Sequence, residues 1–180
     1  MNARLKKAAG LTAAVAALLV AGSAGSAVAA APNAGAGAAQ RCQTTALGTS
    51  LRAVGDQEGV GNRGEDLVLT NTSHQTCAVY GYPGLALQNS RHSVLPIKVV
   101  WGSTYFAADP RPHTIILVPG QSAYADLAWH EPYGVKSVTP SFLEVTPPND
   151  FTHQTIRFAP GAIDDDTLLV TALSAHPVGS

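Results

Sequence analysis

From Arg41 onward the chain consists of short stretches in which apolar and polar residues alternate, separated by Gly, Pro, Asn and Asp. The clearest alternation runs over residues 123–130. One face of that stretch would carry Ala123, Ala125, Leu127 and Trp129, and the other face Tyr124, Asp126 and His130. Because successive side chains of a strand point to opposite faces, this pattern predicts a strand with one buried face.

Further strands are predicted where apolar and β-branched residues cluster between turn residues. They cover residues 46–54, 67–73, 77–80, 85–88, 94–101, 114–118, 143–145, 155–158 and 168–173. No ten-residue stretch after Arg41 places apolar residues at helical spacing. We therefore expect an all-β fold, an immunoglobulin-like antiparallel β-sandwich of about eight strands that spans residues 41–175 as a single domain. A small barrel is the alternative.

The first 29 residues have the layout of a secretory signal peptide. The basic residues Arg4, Lys6 and Lys7 precede an apolar run over residues 8–20, and small residues up to Ala29 offer a cleavage site. The apolar run is shorter than the roughly 20 residues of a membrane-spanning helix. We expect a secreted protein, extracellular or associated with the cell wall and without membrane insertion, in which residues 30–40 form a flexible leader.

The chain contains two cysteines, Cys42 and Cys77. In an oxidising compartment such a pair is predicted to form a disulfide, whereas a free catalytic thiol would leave the other cysteine unpaired.

The charge balance excludes one class of partner. Three of the eleven Lys and Arg residues lie within the first 29 residues, so eight remain against twelve Asp and Glu, a net charge of −4. Nucleic-acid binding needs clustered cations, and we expect no nucleic-acid partner.

No catalytic pattern stands out in the sequence. The segment from Gly120 to Tyr124 resembles the Gly-x-Ser-x-Gly motif of hydrolases but lacks the final glycine. The six histidines are spread along the chain without a His-x-His or Glu-x-x-His pair, and such pairs are what place two metal ligands together. We therefore predict a protein that is not an enzyme and has no cofactor and no metal site.

Aromatic residues near predicted turns are the candidates for a binding surface, because exposed Tyr and Trp side chains supply large contact areas. Tyr82 lies beside the turn at residues 82–84, and Trp101 and Tyr105 lie within residues 101–106. The alternative is that such rings pack at turns and hydrogen-bond through their hydroxyls. Tyr82, Trp101 and Tyr105 are the predicted ligand-binding residues.

An ordered set of short motifs runs along most of the chain. It comprises Cys42, Leu67-Val-Leu-Thr-Asn-Thr-Ser73, Cys77, Tyr80-Gly-Tyr-Pro-Gly84, Leu85-Ala-Leu87, Pro119-Gly-Gln-Ser-Ala123, Leu127-Ala-Trp129 and Leu143-Glu-Val-Thr-Pro-Pro148. This set resembles the secreted actinobacterial family known as domain of unknown function 4232, over residues 41–173. The resemblance implies export and an immunoglobulin-like sandwich, and it assigns no catalytic or binding residues. Many relatives carry a second cysteine pair, which residues 135–140 and 158–167 lack here, so we expect a less constrained C-terminal half.

These observations favour an exported, non-catalytic binding or structural module whose partner is an envelope polymer or an extracellular protein. The predicted fold and the predicted export are the observations that support this hypothesis. The alternative is a secreted protease inhibitor that presents the proline-flanked segment 107–112 to an active site. A small-ligand or metal binder that uses several histidines is a third hypothesis.

Overall fold

A computed structural model describes residues 39–133, 136–164 and 167–178. The predicted signal peptide and residues 30–38 of the predicted leader lie outside the described residues. The described strands are β1 Leu47–Gly59, β2 Asn62–Asn71, β3 Cys77–Tyr80, β4 Gly84–Gln88, β5 Lys98–Trp101, β6 Thr114–Leu117, β7 Ser122–His130, β8 Ser137–Val138, β9 Phe142–Thr146, β10 Gln154–Arg157, β11 Ile163–Asp164 and β12 Thr167–Val170. Within these residues, no helix is long and apolar enough to cross a membrane.

The predicted all-β fold is confirmed. The strands form a five-stranded sheet in the order β1-β2-β7-β12-β5, a three-stranded sheet in the order β10-β9-β4, and the two pairs β11-β8 and β3-β6. Each described pairing is antiparallel except that of β5 with β12, which is parallel. The described strands outnumber the eight expected, partly because β8 and β11 have only two residues each. The immunoglobulin-like detail stays a prediction.

The core lies between the five-stranded sheet and the shorter sheets. The face of β7 predicted to be buried is buried, since Ala123, Ala125, Leu127 and Trp129 are all at most 3% exposed. Leucines from β2, β4, β9 and β12 belong to the same apolar cluster: Leu67, Leu69, Leu87, Leu143 and Leu168. The hydrophobic effect at this two-layer contact therefore holds the sheets together and fixes which face of β7 points outward.

The predicted disulfide is confirmed. Cys42 and Cys77 are bonded, with their Cα atoms 4.9 Å apart. Beside the bridge, the Cys42 N–H donates to the Ala78 carbonyl oxygen at 2.9 Å, and Arg41 forms a parallel bridge with Ala78. The chain that leads into β1 is thus fixed to β3 by covalent and main-chain bonds.

Candidate functional site

The segment over residues 102–113, called the aromatic loop here, joins β5 to β6 and packs on the outer face of the five-stranded sheet. Its Phe106 ring approaches β2 at Gly64, where a Cβ atom would lie only 2.8 Å from Phe106 Cδ2. Thr104 donates its hydroxyl hydrogen to Asp126 of β7. The aromatic loop therefore covers this part of the outer face of β7. The alternation of apolar and polar residues along β7 would by itself predict that this face is exposed to solvent.

A single aspartate anchors the far half of the aromatic loop. Asp109 accepts a hydrogen bond from the hydroxyl of Tyr82 at 2.6 Å and another from the Ala172 main-chain N–H at 2.9 Å. Its own N–H donates to Ser103 Oγ at 3.0 Å. The loop is thus tied to the turn before β4 and to the segment after β12.

Two of the predicted binding residues meet at this anchor. The rings of Tyr82 and Trp101 are stacked, with centroids 5.1 Å apart and planes inclined by 2°. The hydrogen bond to Asp109, with burial and the Asp109 charge, raises the pKa of Tyr82 to about 12, against a smaller opposite effect of Arg111. The hydroxyl therefore keeps its proton and its bond at physiological pH, while Trp101 is 60% exposed.

Tyr105, the third predicted residue, is 52% exposed but makes its ring contacts elsewhere. It packs edge-to-face on Phe106, with centroids 6.5 Å apart, and on His130, with centroids 6.4 Å apart. The structure thus places all three residues on or beside the aromatic loop and brings Tyr82 and Trp101 into contact.

Beneath the loop lies a buried pair of carboxylates. Asp66 of β2 and Asp126 of β7 are register partners, and both are fully buried. The Asp126 main-chain N–H donates to Thr171 Oγ1 at 2.9 Å, and its carbonyl accepts from the Thr171 N–H at 3.0 Å. Because both main-chain groups face β12, Asp66 and Asp126 form the narrow, non-hydrogen-bonded type of antiparallel pair, with Cα atoms about 4.5 Å apart.

The partners of these two carboxylates come from β1 and from the aromatic loop. Arg52 forms an ion pair with Asp66 Oδ2. Gln57 donates to Asp126 Oδ1, and Thr104 to Asp126 Oδ2. The β1–β2 register shifts between Ala53 and Glu58, and an irregularity of this kind can re-aim a side chain such as that of Gln57.

Burial is the largest influence on Asp126. It raises the pKa of Asp126 to about 6; the hydrogen bonds from Thr104 and Gln57 oppose it, and the charge of Asp66 adds to it. The Asp66 Oδ1 atom is buried and has no hydrogen-bond partner among the described residues. An unpaired buried acceptor beside a second carboxylate is the arrangement in which one proton is shared by two acids.

A second polar feature is a cleft of about 350 Å³ beside the β1–β2 hairpin, lined by Glu58, Arg63, Glu65, Glu131 and Trp129, among others. Arg63 pairs with Glu58 and, at 2.8 Å, with Glu131. Burial raises the pKa of Glu65. The ion pairs here are exposed, and exposed pairs contribute little to stability.

The third hypothesis, a metal binder that uses several histidines, concerns side chains that lie within the described residues. No three side chains of His, Cys, Asp or Glu lie together there as potential ligands. The ring nitrogens of His92, His113 and His130 hydrogen-bond to amide or carbonyl oxygens.

Sequence reasoning missed the carboxylate pair. The available signal was an aspartate within the mostly apolar segment of β7, at Asp126, and another directly before the apolar residues 67–69 of β2, at Asp66. A strand pattern gives the face of each residue but not its partner across the ladder, so the pairing could not be read from it.

Comparison with known protein families gives a match over most of the chain. The profile of a family described as a domain of unknown function (DUF4232) matches residues 42–174. No curated protein and no solved structure matches the chain.

Proposed function

The chain belongs to the family described as a domain of unknown function (DUF4232), and we propose that it is a non-catalytic binding module that acts outside the cytoplasm on a polysaccharide of the cell envelope. The observation that carries this proposal is the stacked pair of Tyr82 and Trp101. The pair is held rigid by Asp109 and leaves most of Trp101 open to solvent.

The chemistry of the pair fits a sugar ring. A pyranose offers an apolar face of C–H groups bordered by hydroxyls, and an exposed indole offers a flat apolar surface of similar size. The exposed Arg111 lies close enough to influence the Tyr82 hydroxyl. Polar groups at the edge of an aromatic platform can orient the hydroxyls of a ligand that stacks on it.

The surroundings of the platform support binding in preference to catalysis. The rings of His92, His113 and His130 bond to amide or carbonyl oxygens, the His153 ring lies 3.7 Å from the Glu144 carboxylate, and the Ser122 hydroxyl bonds to Thr70 Oγ1 at 2.8 Å. A serine nucleophile needs a histidine within hydrogen-bond reach. The buried disulfide between Cys42 and Cys77 is typical of proteins outside the cytoplasm.

Co-sedimentation of the protein, expressed from residue 30, with purified envelopes of its host tests this proposal. We expect binding that persists at high salt, because stacking on an uncharged ring is not screened, and at least a tenfold loss of affinity in Trp101→Ala. Phe151→Ala is the matched control, since Phe151 is 97% exposed and its main-chain N–H bonds to Asp150. No binding, or equal losses in both variants, would refute the proposal.

The protease-inhibitor alternative rests on residues 107–112. In the structure Ala107 is buried, Asp109 is bonded to Tyr82, and the exposed Arg111 has a φ of +62°. A peptide that enters an active site as an added strand is extended, and the left-handed conformation at Arg111 departs from that shape. The loop geometry thus favours the binding module over the inhibitor.

A further inference from the structure

We propose that Asp66 and Asp126 share one proton beneath the aromatic loop, and that loss of this proton to solvent loosens the loop. The aromatic surface is then held in its binding arrangement at acid pH and released towards neutral pH. The link to ligand binding rests on the proposed function, whereas the link between the proton and the loop does not.

The first support is the position of the two acids. They face each other across the narrow pair of the β2–β7 ladder, fully buried. Arg52 pairs with Asp66 on the side away from β7. Two ionised and buried carboxylates on directly opposite residues repel strongly, whereas a shared proton removes the repulsion and would give Asp66 Oδ1 a hydrogen bond.

The second support is the connection from Asp126 to the loop. The Thr104 hydroxyl donates to Asp126 Oδ2, and Thr104 Oγ1 in turn accepts from the main-chain N–H groups of Phe106, at 3.2 Å, and Ala107, at 3.0 Å. The Thr104 side chain thus connects the buried acid to Phe106 and Ala107, the two residues that follow Tyr105. Ionisation of Asp126 strengthens this bond, but burial beneath the loop disfavours the ionised acid, and burial is the larger of the two effects.

The direction follows from linkage. The pKa of Asp126 is raised to about 6 with the loop in place, and a solvated aspartate titrates near 3.9. The closed loop therefore binds the proton more tightly than an open loop does. The equilibrium constant for closing is then about tenfold lower at pH 7.5 than at pH 5.

The contribution of Asp126 to the pH dependence must be distinguished from that of the other charged and titratable groups near it. The titratable and charged groups around it are Arg52 on β1, Asp66 on β2, Tyr124 and His130 on the same face of β7, Lys98 on β5, and Tyr105 and Asp109 on the loop. The described part of β12 and the segment after it contribute the uncharged Thr171. His130 is the main alternative source of a pH dependence in the loop, because its ring contacts Tyr105 and imidazoles change charge between pH 5 and 8.

The test measures amide hydrogen exchange at Phe106 and Ala107 by NMR, divided by the intrinsic exchange rates, at pH 5 and pH 7.5. We expect protection in the wild type to be about tenfold lower at pH 7.5. In Asp126→Asn, whose amide can donate to Asp66 at any pH, protection should be high and independent of pH. His130→Gln should behave as the wild type.

Two outcomes would overturn the proposal: protection in the wild type that does not change with pH, or the same pH dependence in Asp126→Asn. Should that variant not fold, a carboxyl carbon NMR titration of the wild type decides, because an Asp126 that titrates below pH 4.5 contradicts a shared proton. None of these measurements uses a ligand. A failure of envelope binding would therefore refute the proposed function and leave this result standing.

Discussion

The hydroxyl of Tyr82 donates a hydrogen bond of 2.6 Å to the carboxylate of Asp109. Tyr82→Phe removes this bond and keeps the ring that stacks on Trp101. Because Asp109 is only partly buried and can bond to water instead, we expect the free energy of unfolding to fall by about 1 kcal/mol. Urea denaturation measures it, and Tyr80→Phe is the control, since Tyr80 is exposed. Equal changes in both variants would contradict a role for the bond.

Gly64 marks the point where the aromatic loop touches the sheet. A Cβ atom there would lie 2.6 Å from Gln57 Oε1 and 2.8 Å from Phe106 Cδ2. Gly64→Ala should therefore displace Phe106 and lower the free energy of unfolding by about 1–3 kcal/mol. Gly55→Ala is the matched control, because a Cβ atom at Gly55 meets nothing within 4 Å. Loop protection in hydrogen exchange should drop in Gly64→Ala alone.

The disulfide constrains the unfolded chain. Cys42 and Cys77 are 35 positions apart, and closing a loop of this length contributes about 3–4 kcal/mol in the chain-entropy treatment. Replacing both cysteines by Ala should lower the free energy of unfolding by roughly that amount, measured by urea denaturation. Reduction of the wild type should have a similar effect, and an unchanged midpoint in the double variant would contradict the assignment.

The stability of the domain should decrease as the pH rises from about 4.5 to 7.5. The pKa of Asp126 is raised to about 6 in the folded protein, so the folded state binds this proton more tightly than the unfolded state. The stabilisation is complete below the unfolded pKa of about 3.9 and is lost as the pH rises through 6. It amounts to about 2 kcal/mol across the stated range.

The difference in unfolding free energy between the wild type and Asp126→Asn, measured at each pH, isolates this contribution. Hydrogen bonds, first from the Thr44 N–H, lower the pKa of Asp150. The Asp150 contribution therefore has the opposite sign and changes only at pH values below this range. A difference that does not vary between pH 4.5 and 7.5 would contradict the buried-acid assignment.

Much of the fold could be predicted from local patterns. The alternation over residues 123–130 placed Ala123 and Leu127 in the core, where they are fully buried. The same alternation placed Asp126 on the opposite face and could not show that it is buried too. Its burial comes from the aromatic loop, which is distant in sequence from β2 and reaches Gly64 only in the folded protein.

The sequence by itself determined the all-β fold and the bonded cysteines of this protein, because side-chain alternation and cysteine count are properties of the local chain. It also placed Tyr82, Trp101 and Tyr105 near turns. Only the tertiary structure decided that Tyr82 stacks on Trp101, that Asp66 faces Asp126, and that Gln57 reaches Asp126 from 69 positions away. The physical reason is that strand register and loop packing depend on burial shared between distant segments, which no single segment encodes.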